Sequence, residues 1–234
     1  RCYDPEWFAQ TGVDLSKLTV VRPMHLEETF DQLKELLQFK TPPAVIVVDS
    51  VAAMCPRDQL KAEMSKKDFQ GLFPRKMGDG IKQILPTNKS TALIFINQLR
   101  MALGVVYGNH ESMPGGKALK FDASLMVRVR RGKWLTDAQP ADLNKDADDD
   151  KDAKRIGYSL KLRIEKNKTA ATLWDECELD FYFKGEFDLV ASLVHEAIAA
   201  GLITGSGGYC EVPGLKGKLH WFKALKEHVR DDEK

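Results

Sequence analysis

The stretch Ala44-Val45-Ile46-Val47-Val48-Asp49-Ser50 constrains the fold more than any other part of the chain. Five apolar residues, four of them β-branched, run directly into a carboxylate and a hydroxyl. The pattern reads as a buried parallel strand that delivers two polar groups at its C-terminal end. Open α/β sheets place their ligands at that end. From this stretch alone, a core strand whose Asp caps the next turn fits equally well. Thr91-Ala92-Leu93-Ile94-Phe95-Ile96-Asn97-Gln98 repeats the pattern, and two strands ending alike suggest one shared ligand edge.

Other elements follow from spacing and breakers. Asp4-Pro5 ahead of Glu6 to Gln10 marks a helix with Asp4 as N-cap and Pro5 at its first position, ended by Gly12. Leu18 to Val21 reads as a short strand. Leu26, Phe30, Leu33 and Leu37 recur at three- and four-residue steps, the stripe of an amphipathic helix stopped by Thr41-Pro42-Pro43. Strand, helix and the Asp49 strand then make a crossover unit of a parallel sheet. Arg57 to Gln70 is polar and reads as a loop, with Phe69 its single aromatic residue. Leu72 to Leu85 reads as a helix, although Gly78 and Gly80 each cost about 1 kcal/mol against Ala.

Arg100 to Lys120 is long and weakly periodic, with Gly104, Gly108, Gly115 and Gly116. A loop of that length in a compact domain is usually functional or disordered. From Ala123 to Arg131, Val127 and Val129 alternate with Arg128 and Arg130 as in a half-exposed strand. Residues 137–155, rich in Asp and Lys, read as a solvated loop between strands. Tyr158 to Glu165 and Glu178 to Phe183 are further strands. Phe187 to Ala200, closed by Gly201, is a helix; short β fragments and a final helix, Leu219 to Val229, follow.

Composition narrows the function classes. The 35 basic and 34 acidic side chains nearly cancel, so any nucleic-acid binding rests on local clusters. Four cysteines, Cys2, Cys55, Cys177 and Cys210, show no CxxC pair, which argues against a zinc site or a disulfide framework. A reduced, cytoplasmic setting is expected. No apolar run approaches the length of a membrane span, and no signal peptide opens the chain.

In order and spacing, several motifs resemble the RecA-type DNA strand-exchange recombinases of bacteria and their phages. They are Asp4-Pro5 with Gly12-Val13-Asp14, Val45 to Ala53 followed by Pro56, Leu93 to Arg100, Gly115 to Phe121 (GGKALKF), and Lys166 to Ala171 (KNKTAA). The resemblance covers nearly the whole chain and implies an α/β fold. That fold is a RecA-like ATPase core over 1–185, a mostly parallel twisted sheet flanked by helices and incomplete at its N-terminal side. A small C-terminal α/β lobe over 186–234 completes it. Implied too is recombination in DNA repair and the response to DNA damage (the SOS response). The protein would work as an ATP-dependent helical filament on single-stranded DNA that searches homologous duplex and exchanges strands.

Roles for individual residues come with the resemblance. Asp49 is expected to act on Mg²⁺ as the carboxylate of the ATP site, and Ser50 beside it to bind ATP. Gln98 matches the sensor of the γ-phosphate. Asp4 and Trp7 match the positions that contact adenine, the carboxylate accepting from the exocyclic amine and the ring stacking. Lys166 and Lys168 match the pair that reaches the neighbouring subunit's ATP, stabilising developing charge as an arginine finger does. Lys120 and Phe121 fall on the same subunit interface. Arg57–Gln70 and Leu99–Lys117 match two DNA-binding loops. Phe69, Arg100, Leu103, Gly115, Gly116 and Lys117 in these loops, with Arg75 and Lys82 on the helix between them, would meet DNA, the cations on phosphates, Leu103 as a wedge and the glycines as close backbone approach.

The sequence departs from the family pattern at a few positions. Trp7 stands where Tyr is common, Lys82 where Arg is usual, Lys117 where Asn is usual, and the first loop is one residue longer. No G-x-x-x-x-G-K-[ST] occurs: the Gly-Lys pairs at 116, 132 and 217 lack the earlier Gly and the following Ser or Thr. The expectation is therefore a fragment of a longer DNA-dependent ATPase, inactive in ATP turnover by itself. A non-catalytic RecA-like module that binds DNA or caps recombinase filaments is the alternative. A hexameric helicase or a clock-type ATPase of the same core fits the GGKALKF and KNK motifs less well.

Overall fold

The computed structural model describes residues 3–62, 69, 71–101, 111–137, 154–170, 176–206, 209–211 and 219–220. Its elements in chain order are α1 (Pro5–Gln10), α2 (Leu26–Gln38), β1 (Val45–Asp49), α3 (Arg57–Lys61), α4 (Leu72–Ile84), β2 (Ala92–Ile96), β3 (Arg100–Met101), β4 (Glu111–Ser112), α5 (Ala118–Asp122), β5 (Leu125–Thr136), β6 (Arg155–Asn167), β7 (Glu176–Tyr182), β8 (Glu186–Asp188), α6 (Leu189–Ala199), β9 (Thr204–Ser206), β10 (Tyr209–Glu211) and β11 (Leu219–His220). They fall into two compact units, one of Thr19–Ala123 and one of Arg1–Leu18 with Ser124–Lys234. The α/β class holds. Among the described residues, parallel pairing is confined to β1 and β2, and the larger sheet β5-β6-β7-β8 is antiparallel.

In the Thr19–Ala123 unit, α2 forms where its apolar spacing demands. His25 caps it, Nδ1 accepting the Glu28 N–H at 3.0 Å, and Glu27 and Glu28 put negative charge at the positive end of the helix. Leu26, Phe30, Leu33 and Leu37 are all buried against Met77, Ile81 and Ile84 of α4 and against Val48 and Val51. Each such side chain is worth about 1.5–3 kcal/mol when withdrawn from water, so this stripe holds the helix more than propensity does. Gly80 sets how near α4 can come, because any Cβ there would overlap the Phe30 ring. The glycine that weakens the helix in the sequence is the one the packing requires.

The β1 strand, continuous in apolar character, is buried on one face only. Ile46 and Val48 pack with Leu93 and Phe95 toward the helices. Val45, Val47, Ile94 and Ile96 on the other face are 53%, 54%, 47% and 43% exposed. An apolar run alone does not distinguish burial on both faces from burial on one. Leu18 to Val21 joins no ladder among the described residues, and Val20 and Val21 are exposed. The parallel crossover is therefore β1–α4–β2 rather than a unit begun at Leu18.

In the other unit, α1 starts as expected, with Asp4 Oδ1 accepting from Glu6 N at 3.0 Å and Trp7 N at 3.3 Å. The sheet is a meander whose β5–β6 stem brackets the acidic insert, closed where Asp137 N donates to Lys154 O at 3.0 Å. The Arg131 and Arg155 guanidinium groups each lie 4.4 Å from the Trp134 ring centroid and clamp that end of the hairpin. The helix expected from Phe187 begins at Leu189, because Glu186–Asp188 pairs with β7. Gly201, at φ 71°, lies just past its end. Of the final helix expected over Leu219–Val229, Leu219–His220 is strand β11 and 221–229 lies outside the described residues.

Gly80→Ala tests the helix crossing. Overpacking costs typically about 1–3 kcal/mol and the propensity gain returns about 1 kcal/mol, so a net loss of about 1 kcal/mol is expected. A denaturant midpoint equal to or above that of the parent would show that Phe30 yields its place without cost.

Candidate functional site

The register of β1 and β2 builds the site. Val45 pairs with Ala92 and Asp49 with Ile96, so the polar residues after each strand emerge on one edge. Asp49 is exposed, whereas Ser50 is buried (4% exposed) and leads into a short 3₁₀ turn at Val51–Ala53. The Asp49–Ser50 peptide is cis. Gln98 is exposed, and its N–H donates to the Asn97 Oδ1 at 2.9 Å. Asn97 Nδ2 in turn donates to the Pro114 carbonyl at 2.9 Å.

Pro114 opens the turn that carries Gly115 and Gly116, both with positive φ (89° and 75°). Gly115 is buried against Val51 and Met77, and Gly116 lies on Pro74 at the start of α4. The long segment before this turn is closed at its root by a small ladder, Arg100 with Ser112 and Met101 with Glu111. Leu103 lies outside the described residues, as do 102–110 and 63–68. Arg75 and Lys82 are exposed on α4 and are separated by two helical turns, which sets them on one side of the helix. Arg100 and Lys117 are exposed, and Phe69 is half-buried. Lys120 and Phe121 are exposed on α5, Phe121 by 66%.

The remaining sequence-predicted residues belong to the other unit. Asp4 is committed through Oδ1 to capping α1, while Trp7 is 38% exposed and meets Phe181 edge-on at 6.5 Å. Lys166 pairs with Met126 one residue before the end of the β6 ladder, and Lys168 N donates to Ser124 O at 2.8 Å. Asn167 shapes the turn between them, its Oδ1 accepting from Thr169 N at 2.9 Å and Ala170 N at 3.1 Å.

Three features escaped the sequence reading. One is the Asn97 link. A second fastens the start of α3, the entry to the 57–70 segment: Arg57 N donates to Glu27 Oε2 at 2.9 Å, and Lys76 Nζ lies 3.4 Å from Glu27 Oε1. Burial would raise the Glu27 carboxyl, but the Arg57 N–H, its own N–H and the Lys76 ammonium outweigh it and hold the carboxyl below its usual range. The third is a cationic face on the β5–β6 hairpin. Arg128 sits opposite Arg163 and Arg130 opposite Lys161, like charges where a sheet ordinarily avoids them. Glu165, 2.7 Å from Arg128 Nε, and Glu176, 3.4 Å from Arg163 Nε, offset part of that charge. The Val/Arg alternation hinted at this face, but its width depends on a register that spacing does not supply.

Among the described residues no group of three or more His, Cys, Asp or Glu could enclose a metal ion. A single exposed carboxylate fits a hard cation that keeps waters and shares its ligands with phosphates, which is how Mg²⁺ is commonly held. No described helix is long and apolar enough to cross a membrane.

Residues 1–187 match the family model described as the RecA N-terminal domain. Protein RecA of Thermus thermophilus is 36% identical over 229 residues, 96% of this chain and 63% of that protein. Protein RecA of Aquifex aeolicus is 34% identical over 230 residues, 96% of this chain and 62% of its own length. The mitochondrial DNA repair protein recA homolog of Dictyostelium discoideum is 34% identical over 215 residues, 91% of this chain and 44% of its own. The chain spans about three-fifths of the length of the bacterial relatives it matches (63% and 62%).

Replacing Glu27 tests the α3 fastening through pH. Because its folded value is depressed, its stabilisation is present above the ordinary carboxylate value and is lost as pH falls through the folded one. Glu27→Ala is expected to cost about 1–2 kcal/mol at neutral pH, a gap in melting temperature that closes in acid. A gap independent of pH would contradict the assignment.

Proposed function

Since this chain belongs to the RecA family, we propose that it serves homologous recombination and DNA repair in the cytoplasm, within an ATP-dependent filament on single-stranded DNA. The carrying observation is the shared edge of β1 and β2, where Asp49, Ser50 and Gln98 emerge together and Asn97 joins that edge to the Gly115–Gly116 turn. A strand-end carboxylate beside a neutral amide suits a nucleotide phosphate. Glycines at the root of a long loop suit close approach by a second polyanion.

In this reading Asp49 holds Mg²⁺, which neutralises charge on the phosphates when bound. Gln98 bonds the terminal phosphate through its amide and Ser50 supports the strand end. Asp4 and Trp7 hold adenine, the carboxylate accepting from the amine and the ring stacking. Lys166 and Lys168 approach the ATP of a neighbouring subunit and stabilise developing negative charge. Lys120 and Phe121 lie on that interface. Two subunits per site imply a head-to-tail contact, which repeated without closing gives the helical filament of this reading.

Arg75, Lys82, Arg100 and Lys117 neutralise the backbone of single-stranded DNA, which the backbone N–H groups of Gly115 and Gly116 also approach, while Leu103 enters between bases and Phe69 lines the first loop. Such contacts carry little sequence preference. The cationic face formed by Arg128, Arg130, Lys161 and Arg163 suits a further polyanion, for which the homologous duplex is the natural occupant.

Asp49→Asn in the full-length protein is expected to abolish Mg·ATP-dependent filament assembly, read by light scattering or electron microscopy. Intact assembly would remove Asp49 from the site. Affinity for single-stranded DNA is expected to fall steeply with salt, and Lys117→Ala to flatten the log–log slope by about 0.7, one phosphate contact. An unchanged slope would place Lys117 away from DNA.

A further inference from the structure

Asn97 makes none of the nucleotide or DNA contacts assigned so far, yet its side chain is the direct tie between the β2 edge and the glycine turn. It bridges the Gln98 N–H and the Pro114 carbonyl, both at 2.9 Å, the latter seventeen residues along the chain. The two bonds fix the orientation of the amide. Turned over, its NH₂ would face an N–H donor and its oxygen a carbonyl. A planar amide with both ends engaged is a rigid strut.

The turn at its far end has little freedom to yield. A Cβ at Gly115 would stand 3.2 Å from Val51 Cγ1 and 3.3 Å from Met77 Cγ, and one at Gly116 would stand 2.8 Å from Pro74 Cβ. Positive φ at both positions (89° and 75°) adds to the demand for glycine. Val51 follows directly on Asp49-Ser50. These contacts hold the shape of the turn, and Asn97 ties it to the end of β2.

We propose that Asn97 is a positioning residue that couples the β1/β2 edge to DNA binding, by holding the Gln98 backbone and the Pro114–Gly116 turn as one body. A shift of Gln98 toward a bound phosphate moves the Asn97 oxygen with it. The same amide then moves Pro114 and the root of the loop. This rests on the reading of the edge as the phosphate site and of 99–117 as a DNA loop.

Asn97→Asp separates the two bonds. The carboxylate still accepts from Gln98 N–H but sets an oxygen against the Pro114 carbonyl, so only the tie to the turn is lost. In the full-length protein, binding of a non-hydrolysable ATP analogue is expected to match the parent. The ratio of single-stranded DNA affinity with and without the analogue is expected to fall about tenfold or more, within the usual span of coupling. Asn97→Ala, which removes both bonds without adding charge, is expected to show the same loss and guards against an Asp variant that fails to fold. A ratio equal to the parent's overturns the proposal, as does a fall fully explained by weaker analogue binding. Hydrogen exchange over 111–118 without nucleotide separates this inference from the functional reading. Faster exchange in Asn97→Asp supports the strut even if the parent shows no nucleotide-dependent DNA binding, and unchanged exchange overturns it.

Discussion

Parallel pairing of β1 with β2, in the register that sets Asp49 beside Ile96, is the constraint on which the rest of the Thr19–Ala123 unit depends. Side chains alternate along a strand, so a slip by one residue would turn Val48 and Phe95 out of the core and carry Asp49 to the opposite face. The register is held by what packs beneath it. Ile46, Val48, Leu93 and Phe95 close on a layer made by α2 and α4, and that layer closes only because Gly80 accepts the Phe30 ring. A glycine distant from the strand ends thereby helps to set the edge from which Asp49 and Gln98 emerge.

The same edge explains why the segments that follow the strands converge. Ser50 and Val51 lead from β1 to a buried contact with Gly115. Asn97 leads from β2 to Pro114 through one hydrogen bond, its amide held by a second from the Gln98 N–H. Chemistry at the edge and geometry at the loop root are consequently separated by single contacts, each made by a buried apolar atom or a fully engaged amide. Such contacts shift as bodies rather than deform gradually, which is what the proposed coupling of this edge to the 99–117 segment requires.

Much of this was legible before the fold was known. The helix through Leu26, Phe30, Leu33 and Leu37 follows from its spacing, the cap at Asp4-Pro5 from residue type, and the two strands ending in Asp49-Ser50 and Asn97-Gln98 from their repeated pattern. What spacing could not convey is pairing. It did not show that β1 is covered on one face, that Leu18 to Val21 finds no ladder partner among the described residues, or that Arg128 and Arg130 meet Arg163 and Lys161. The Asn97–Pro114 bond was invisible for the same reason, since it joins residues seventeen apart through a turn whose path depends on the core. His25 as a helix cap is another case, because Ser, Thr, Asp and Asn are the usual residues there.

The central claim is a composite site: Asp49 and Gln98 on one subunit, Lys166 and Lys168 from the next, and DNA at the Gly115–Gly116 turn. Its most direct test is a cryo-electron-microscopy map of the full-length protein with single-stranded DNA, Mg²⁺ and a non-hydrolysable ATP analogue. The expected map places the terminal phosphate within hydrogen-bonding reach of Gln98 and flanked by both lysines of the neighbouring subunit, with the DNA backbone against the glycine turn. A map with the nucleotide away from the β1/β2 edge, or with DNA remote from residues 99–117, would contradict it.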